Sequence, residues 1–332
     1  MMNVAIVGAG AIGGLIGARL AAAGSQVSML ARGATLTALQ ASGLRLRISG
    51  DEISVPVHAE QDAAALGAQD LVIIAVKSPA LPDIAAQIAP LLGPDTIIMT
   101  AMNGVPWWFF ESGGVPYSGV RLAALDPDGT LAQAMPVQRI VGCVVHLSSA
   151  CTAPGVVQPG FGNTLILGEP GGNPRGYPSV RVEALAALLT QAGFDARATA
   201  DIRTDIWYKL WGNMTMNPVS ALTGATCDKI LDDPLVARFC LTAMQEAADI
   251  GARIGCPITQ SGAERMALTR KLGAFKTSML QDAEAGKMLE IDALVTVMHE
   301  IGKLVGVATP SVDALLGLVR VYGQAHGVYA VR

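Results

Sequence analysis

A lysine and two asparagines recur at four-residue intervals in the second half of the chain, within DIWYKLWGNMTMNPVSAL, residues 205–222. Lys209, Asn213 and Asn217 therefore share one face of a predicted helix, drifting by about 40° per step. An ammonium group aligned with two amides offers hydrogen-bond donors to a polar ligand, and a lysine among tryptophans would be costly to bury with nothing to contact. The alternative is a lysine whose aliphatic stem carries its charge to solvent.

A second stretch with polar side chains at helical spacing is TSMLQDAEAGKMLEIDAL, residues 277–294. Ser278 lies one turn before Asp282, and Glu290 lies two turns after it. Asp282 is typical of a helix cap or a helix partner. Glu290 stays ambiguous, because nothing in the sequence pattern alone places it near Lys209.

Three glycines near the start of the chain, Gly8, Gly10 and Gly13, have the spacing of a dinucleotide-binding loop. They follow a predicted strand over 4–7 and open a predicted helix over 12–23, and a second strand is predicted over 26–30. Such a unit presents N–H groups at the positive end of its helix to the phosphates of a cofactor. The alternative is a glycine-rich turn with no ligand. The candidate cofactor-binding residues in this loop are Gly8, Ala9, Gly10, Ala11, Ile12 and Gly13.

The residue at the end of the second strand indicates which dinucleotide binds. An NAD site usually carries Asp or Glu there, whereas this chain has Arg32, which favours the 2′-phosphate of NADP. Lys77 ends another predicted strand, at the sheet edge where ligands of doubly wound folds bind. Both cations could instead be solvated surface residues. Ser148 is a further candidate cofactor contact.

Apolar runs and turn residues in the first part of the chain predict a mostly parallel sheet. A hairpin is expected over 44–57, and a crossover helix is expected over 80–92. Further strands are predicted over 70–77, 95–102, 139–147, 155–158 and 164–167. The stretch over 106–136 is predicted to be irregular.

The pattern becomes helical from about residue 201. Helices are predicted over 201–217, 235–254, 260–271 and 288–305. The fold class expected is therefore an α/β Rossmann-type N-terminal domain followed by an all-α C-terminal domain. We expect residues 1–200 to bind NADP and residues 201–332 to carry substrate binding and catalysis.

Composition excludes several functional classes. The net charge is −4 with no basic cluster, which argues against nucleic-acid binding. Five scattered cysteines without a C-x-x-C pair, and four histidines without metal-ligand spacing, argue against a disulfide framework and a metal site and fit a reducing cytoplasm. The first 18 residues carry no side-chain charge, but no basic segment precedes them and Arg19 interrupts the run, so we expect neither a signal peptide nor a membrane anchor.

Taken together, these motifs resemble the ketopantoate reductases (2-dehydropantoate 2-reductases), a family of the two-domain class similar to 6-phosphogluconate dehydrogenase. The resemblance runs in family order over nearly the whole chain. It is carried by GAGAIGG at 8–14, Arg32, AVKS at 75–78, Asn-Gly at 103–104, K-x-x-x-N-x-x-x-N at 209–217 followed by Pro218, SMLQD at 278–282 and EID at 290–292.

This resemblance implies NADPH-dependent reduction of a 2-oxo acid to a 2-hydroxy acid, most simply 2-dehydropantoate to pantoate. It implies a cofactor in the first domain, a small-molecule 2-oxo acid in the cleft between the domains, and, as a family-level expectation, a homodimer. Lys209 looks like the proton donor, and Asn103 looks like a contact to nicotinamide and substrate. The remaining roles implied are substrate ligands at Asn213, Asn217 and Ser278, and a cofactor or substrate-hydroxyl contact at Glu290.

Two departures from the family pattern bear on the substrate. After Asn103 and Gly104 the chain reads VPWWFFESGGVPYSG, so that Trp107 and Trp108 either stand at the mouth of the cleft or pack against a helix or a second subunit. Phe275 stands where the pantoate-forming enzyme can present an amide. The alternatives are therefore a paralogous reductase or dehydrogenase for a bulkier oxo acid or imine, and a dinucleotide-binding protein without turnover. A proton donor at Lys209 argues against the latter, because binding NADP requires none.

Overall fold

The computed structural model describes residues 2–48, 50–173 and 175–330, which form two compact units. The first unit comprises Met1–Met102 and Gly129–Ile202, and the second comprises Asn103–Asp128 and Arg203–Arg332. The predicted change near residue 201 therefore lies close to the observed boundary. Residues 103–128, however, were expected in the first domain and belong to the second unit, because their aromatic side chains are buried among its helices.

The first unit is built on a sheet whose described strands are mostly parallel. The strands follow the spatial order β4-β3-β9-β8-β7-β6-β1-β2-β5, with β10 paired to β9. Only the pairs β3–β4 and β8–β9 are antiparallel among these described strands. The strands are β1 (Asn3–Val7), β2 (Gln26–Leu30), β3 (Leu44–Ile48), β4 (Asp51–Val55), β5 (His58–Glu60), β6 (Gln69–Ile74), β7 (Leu92–Ala101), β8 (Ile140–Ala153), β9 (Val156–Gly168) and β10 (Asp195–Ala198).

The helices of the first unit pack against this sheet. They are α1 (Ala11–Ala22), α2 (Gly33–Ser42), α3 (Ala63–Leu66), α4 (Leu81–Ala85), α5 (Thr130–Ala134) and α6 (Val180–Gln191). The core combines fully buried strand residues such as Ile6 and Ile73 with Leu15 and Leu20 from α1 and Leu185 from α6. Burial on both faces explains why the central strands read as continuous apolar runs.

The predicted crossover helix over 80–92 was wrong. The chain instead forms a 3-10 turn over Ser78–Ala80, the short helix α4, and a second 3-10 turn over Ala89–Leu91. Each piece carries a proline in its first two positions, at Pro79, Pro82 and Pro90. Proline lacks the N–H that a continuing helix needs, and its ring crowds the preceding turn, so the segment divides into pieces.

Two predicted strands, over 155–158 and 164–167, are parts of the single strand β9. It pairs with β8 through register shifts near Leu147, Ser149 and Ala153, and such irregularities let a long ribbon bend. The hairpin predicted over 44–57 is confirmed, with Leu46 opposite Ile53 in the β3–β4 pair.

The second unit is helical. Its elements are α7 (Ile202–Thr223), α8 (Cys227–Asp232), α9 (Pro234–Arg253), α10 (Gly262–Arg270), α11 (Ser278–Glu284), a π-helical turn over Asp292–Thr296, α12 (Val297–Val305) and α13 (Pro310–Ala325). One buried cluster joins Met216 and Val219 of α7 to Ile230 and Leu231 of α8 and Leu315 of α13. The helix predicted over 201–217 is longer than expected, because α7 continues through Pro218. In the described ranges, no helix is both long and apolar enough to span a membrane.

Candidate active site

A cavity of about 450 Å³ lies in the first unit, at the carboxyl ends of β1 and β2. This is the side of an open parallel sheet on which ligands bind, and the volume is within the usual range for small-molecule sites. The described residues that line it include Gly8, Ala9, Gly10, Leu30, Ala31, Arg32, Thr35, Gln61, Val76, Ala80, Asp83, Ile84 and Gln87.

The glycines of the loop differ in what they make possible. Gly8 has φ of +104°, and a Cβ at that position would lie 2.7 Å from Cγ1 of Val76. A Cβ on Gly13 would lie 2.1 Å from the carbonyl oxygen of Gly8, so the helix can begin this close to the strand only with glycine there. A Cβ on Gly10 would meet no atom within 4 Å, which leaves the loop backbone open on the side where it borders the cavity.

Helix α1 begins directly after this loop, with Gly10 as its N-cap. No side chain caps it, and its first turn contains no acidic residue. Ala11 and Ile12 form this first turn, and both are half-buried. The helix terminus therefore presents its positive end without a competing carboxylate, as an anion site requires.

Arg32 lines the same cavity at the N-cap of α2. Arg32 is exposed, and its side chain makes no hydrogen bond within the part of the chain that the structure describes. Thr35 and Gln61 border the cavity as well and were not expected from the sequence. Gln61 follows β5 and reaches the cavity because β5 pairs with β2 at the edge of the sheet. No local sequence motif predicts this pairing.

Lys77 and Ser148 are placed differently from the loop residues. Lys77 is half-buried between the lining residues Val76 and Ala80 and is not itself among the lining residues described. The hydroxyl of Ser148 accepts a hydrogen bond from the N–H of Phe161 at 2.7 Å, across the β8–β9 ribbon. Ser148 is not among the described residues of the cavity.

The donor set of this cavity fits a dinucleotide phosphate. It combines an open glycine backbone, an uncapped helix N-terminus and an arginine, with no acidic residue at the end of β2. Gly8 and Gly10 with the start of α1 would hold the pyrophosphate, and Arg32 would hold a 2′-phosphate.

In the second unit, Lys209, Asn213 and Asn217 all lie on α7, as their spacing predicts. Asn213 is half-buried, and Asn217 is buried with 5% of its surface exposed. Neither amide side chain has a hydrogen bond to any described residue. Both amides therefore have donors and acceptors with which a ligand could form hydrogen bonds.

Lys209 meets Asn103, which precedes it by 106 residues. Its Nζ donates a hydrogen bond of 2.7 Å to Oδ1 of Asn103, in a partly buried setting. The ammonium carries three protons, and this bond fixes the direction of one of them. The structure thus brings together two of the candidate catalytic residues.

The aromatic residues that follow Asn103 pack against α7 and so hold Asn103 beside Lys209. Trp107 and Trp108 are each 1% exposed, and the ring of Phe109 lies 6.1 Å from that of Trp207 on α7. The guanidinium of Arg203 lies 4.6 Å from the centre of the Phe109 ring. Of the two interpretations open for the tryptophans, packing is therefore confirmed.

Glu290 lies in a segment fastened to the turn that follows Asn103. The N–H of Val105 donates to the carbonyl oxygen of Ala293 at 2.9 Å, within the π-helical turn that begins two residues after Glu290. Such turns are frequent at functional sites. Glu290 itself is buried, with 8% of its surface exposed.

The same segment is held from its other side by residues near the end of the chain. Leu289 donates its N–H to the carbonyl oxygen of Val328 at 2.9 Å, and the Tyr329 hydroxyl donates to Asp292 at 2.8 Å. Burial, reinforced by this bond and the Asp292 charge, raises the pKa of Tyr329 to about 12. Tyr329 therefore remains a hydrogen-bond donor at neutral pH.

Ser278 is the first residue of α11 and is exposed. The preceding Thr277 caps that helix by accepting a hydrogen bond from the N–H of Leu280 at 3.2 Å. The Ser278 hydroxyl is thus not used in capping. In the described ranges, no group of three or more His, Cys, Asp or Glu side chains could hold a metal ion.

Comparison with known proteins accounts for both units. The family "Ketopantoate reductase PanE/ApbA" matches residues 4–172, and "Ketopantoate reductase PanE/ApbA C terminal" matches residues 201–323. The chain belongs to the ketopantoate reductase family. A 2-dehydropantoate 2-reductase of Mesorhizobium japonicum is 45% identical over 330 residues, covering 99% of this chain and 100% of that protein.

Solved structures of ketopantoate reductases share the whole fold. A structure from Ralstonia solanacearum MolK2, described as a candidate ketopantoate reductase, is 59% identical with a TM-score of 0.94, and 99% of each chain is covered. The 2-dehydropantoate 2-reductase of Geobacter metallireducens GS-15 is 28% identical with a TM-score of 0.83, covering 97% of this chain and 100% of that one. The fold predicted from the sequence, a mostly parallel α/β unit and a helical unit, is thereby confirmed.

Two glycine substitutions separate cofactor binding from folding. Gly10→Ala should change the free energy of unfolding by less than about 1 kcal/mol, yet raise the Kd of NADPH about tenfold or more, because the methyl group stands where a phosphate approaches the backbone. Gly13→Ala should destabilise the protein by about 1–3 kcal/mol through overpacking. Denaturant unfolding and NADPH fluorescence titration measure the two effects. Wild-type NADPH affinity in Gly10→Ala would contradict this assignment of the loop.

Proposed function

We propose that this protein uses NADPH to reduce 2-dehydropantoate to pantoate. The observation that carries the proposal is the Lys209–Asn103 hydrogen bond of 2.7 Å, on a helix that also presents the unpartnered amides of Asn213 and Asn217. The family membership and the Mesorhizobium japonicum relative support the same reaction. Five free cysteines are in keeping with a cytoplasmic location, which is part of the proposal.

The proton in this reaction comes from Lys209. NADPH, when bound, supplies the hydride that adds to the carbonyl carbon of the 2-oxo acid. The electron pair of the C=O π bond then moves onto the oxygen, and the Lys209 ammonium gives that oxygen a proton and becomes a neutral amine. Solvent returns the proton to the amine. Asn103 holds Nζ in one direction by accepting one of its hydrogen bonds, so the proton to be transferred is aimed before the substrate binds.

The other candidate residues complete the site in this proposal. Asn213, Asn217 and Ser278 bind the substrate, and Glu290 contacts the cofactor or the substrate hydroxyl. Gly8 to Gly13 and Arg32 hold the cofactor, with Lys77 and Ser148 as further contacts. Burial of Trp107 and Trp108 removes one of the two sequence observations that bear on a bulkier substrate, and Phe275 is the other.

A homodimer is part of the proposal as well. Helix α13 exposes apolar side chains, with Leu318 61% exposed and Val321 66% exposed one turn apart. Apolar side chains grouped on an exposed helix are typical of a surface covered by a partner. A mass near that of one chain, measured by light scattering at micromolar concentration, would contradict the dimer.

Substitution of Arg32 tests the choice of cofactor. Arg32→Gln should raise the KM of NADPH by about 10- to 100-fold, because it removes charge-assisted hydrogen bonds to the 2′-phosphate. The KM of NADH, which lacks that phosphate, should change by less than about threefold. Steady-state kinetics with both cofactors measures the ratio. Equal effects on NADPH and NADH would show that Arg32 does not contact the 2′-phosphate.

Substitution of Lys209 tests the reaction itself. Wild-type protein should oxidise NADPH in the presence of 2-dehydropantoate, and Lys209→Met should lower kcat by at least about 100-fold, the usual scale for a positioned acid. Methionine keeps the apolar stem, so NADPH binding should be retained. The control is Lys229→Met, which makes the same change at an exposed lysine on α8 outside the proposed site and should behave as wild type. Intact turnover in Lys209→Met would overturn the proposed acid, and no wild-type turnover with 2-dehydropantoate would overturn the substrate.

A further inference from the structure

Arg265 on α10 reaches α7 at a point that glycine alone keeps open. A Cβ built on Gly212 would lie 2.7 Å from Nη2 of Arg265 and 3.0 Å from both Cζ and Nε. The guanidinium therefore rests directly on the backbone of α7. No pattern in the sequence announces this contact, because Arg265 lies 53 positions beyond Gly212 on a separate helix.

The guanidinium of Arg265 has no acceptor within the ranges that the structure describes. Its Nε is buried without a hydrogen-bond partner, and no carboxylate is paired with it there. Arg270, on the same helix, is instead exposed, ion-paired with Asp232 and bonded to the carbonyl oxygen of Leu231. A buried donor without an acceptor is costly, and a bound ion or ligand is one way in which such a group is satisfied.

The neighbouring aromatic ring holds this cation but does not satisfy its donors. The centre of the Tyr208 ring lies 5.6 Å from Cζ of Arg265, and the Tyr208 hydroxyl donates to Gln260 at 2.7 Å. A cation–π contact of this kind stabilises the charge and its orientation. The in-plane N–H groups of the guanidinium, which form the fork that binds a carboxylate, still lack acceptors among the described residues.

The position of this cation along α7 matches the shape of the proposed substrate. Gly212 lies three residues after Lys209, and positions three apart are neighbours on a helix surface. The guanidinium therefore contacts α7 beside the proton donor, about 4.5 Å further along the helix axis. A 2-oxo acid carries its carbonyl and its carboxylate on adjacent carbons. Lys209 is engaged with the carbonyl oxygen in the proposed reaction, so a second cation beside it would bind the carboxylate more strongly than the neutral donors of Asn213, Asn217 and Ser278 can.

We propose that Arg265 binds the carboxylate of the 2-oxo acid and thereby selects acids over neutral ketones. This inference rests on the proposed function and extends it to a residue outside the motifs that carry the family resemblance. Gly212 is the position that makes the binding geometry possible, because any side chain there would displace the guanidinium.

The test compares a 2-oxo acid with its own methyl ester, which keeps the ketone and lacks the charge. Arg265→Gln should raise the KM of the acid by about 10- to 100-fold, the effect expected on losing a charged hydrogen-bonded pair. The KM of the ester should change by less than about threefold, and the KM of NADPH should stay at the wild-type value. For Arg265→Lys, the KM of the acid should lie between the values for wild type and Arg265→Gln, because lysine keeps the charge and lacks the planar pair of N–H donors.

Two further variants keep the test decisive. Arg270→Gln removes a paired, exposed arginine from the same helix and should leave the ratio of acid to ester KM unchanged. Gly212→Ala keeps Arg265 and its charge but displaces the guanidinium, and it should lower the preference for the acid as Arg265→Gln does. It serves as the second readout if Arg265→Gln does not fold.

The outcomes separate this inference from the proposed function. Suppose that wild-type protein reduces the acid, and that Arg265→Gln either changes the KM of acid and ester by the same factor or changes neither KM. The inference is then overturned and the proposed function stands. If wild-type protein reduces no 2-oxo acid, the proposed function fails, and thermal unfolding with a 2-hydroxy acid becomes the readout. Stabilisation of the wild type that is lost in Arg265→Gln supports the carboxylate site, and equal or absent stabilisation overturns it.

Discussion

The hydrogen bond between Lys209 and Asn103 is the constraint on which the second unit depends. It places a cation in a partly buried setting and fixes the direction of that cation at 2.7 Å from an amide oxygen. Keeping the bond requires that the chain leave the sheet at Asn103, pack its aromatic run against α7, and return at Gly129. Residues 103–128 belong to the helical unit because their aromatic side chains are buried among its helices, and this packing brings Asn103 to a lysine that is distant in the chain.

The surrounding contacts make this arrangement rigid. Arg203 holds the Phe109 ring from the first turn of α7, and its Nη2 donates to the carbonyl oxygen of Ile254 at 3.1 Å. The segment that carries Glu290 is bonded to the turn after Asn103 through Val105. The polar groups of the proposed site thus rest on apolar packing, and positioned donors of this kind need little reorganisation during reaction.

Much of the fold and part of the site could be predicted from the sequence, wherever the signal was local. The glycine loop, Arg32 and the spacing of Lys209, Asn213 and Asn217 are short-range patterns, and the structure places these residues on the elements expected. The prediction of a crossover helix was wrong because three prolines divide the segment, although its apolar residues have helical spacing. The Lys209–Asn103 bond and the Arg265 contact join residues that are far apart in the chain, and no periodicity encodes such pairs.

The measurement that tests the central claim most directly is a double-mutant cycle between Lys209 and Asn103. The specificity constant kcat/KM for reduction of the oxo acid would be measured for wild type, Lys209→Met, Asn103→Ala and the double variant. If Asn103 acts by aiming the Lys209 ammonium, the double variant should lie within about twofold of Lys209→Met alone, because the second change removes nothing further. Losses that multiply would contradict the account and show that the two side chains act independently.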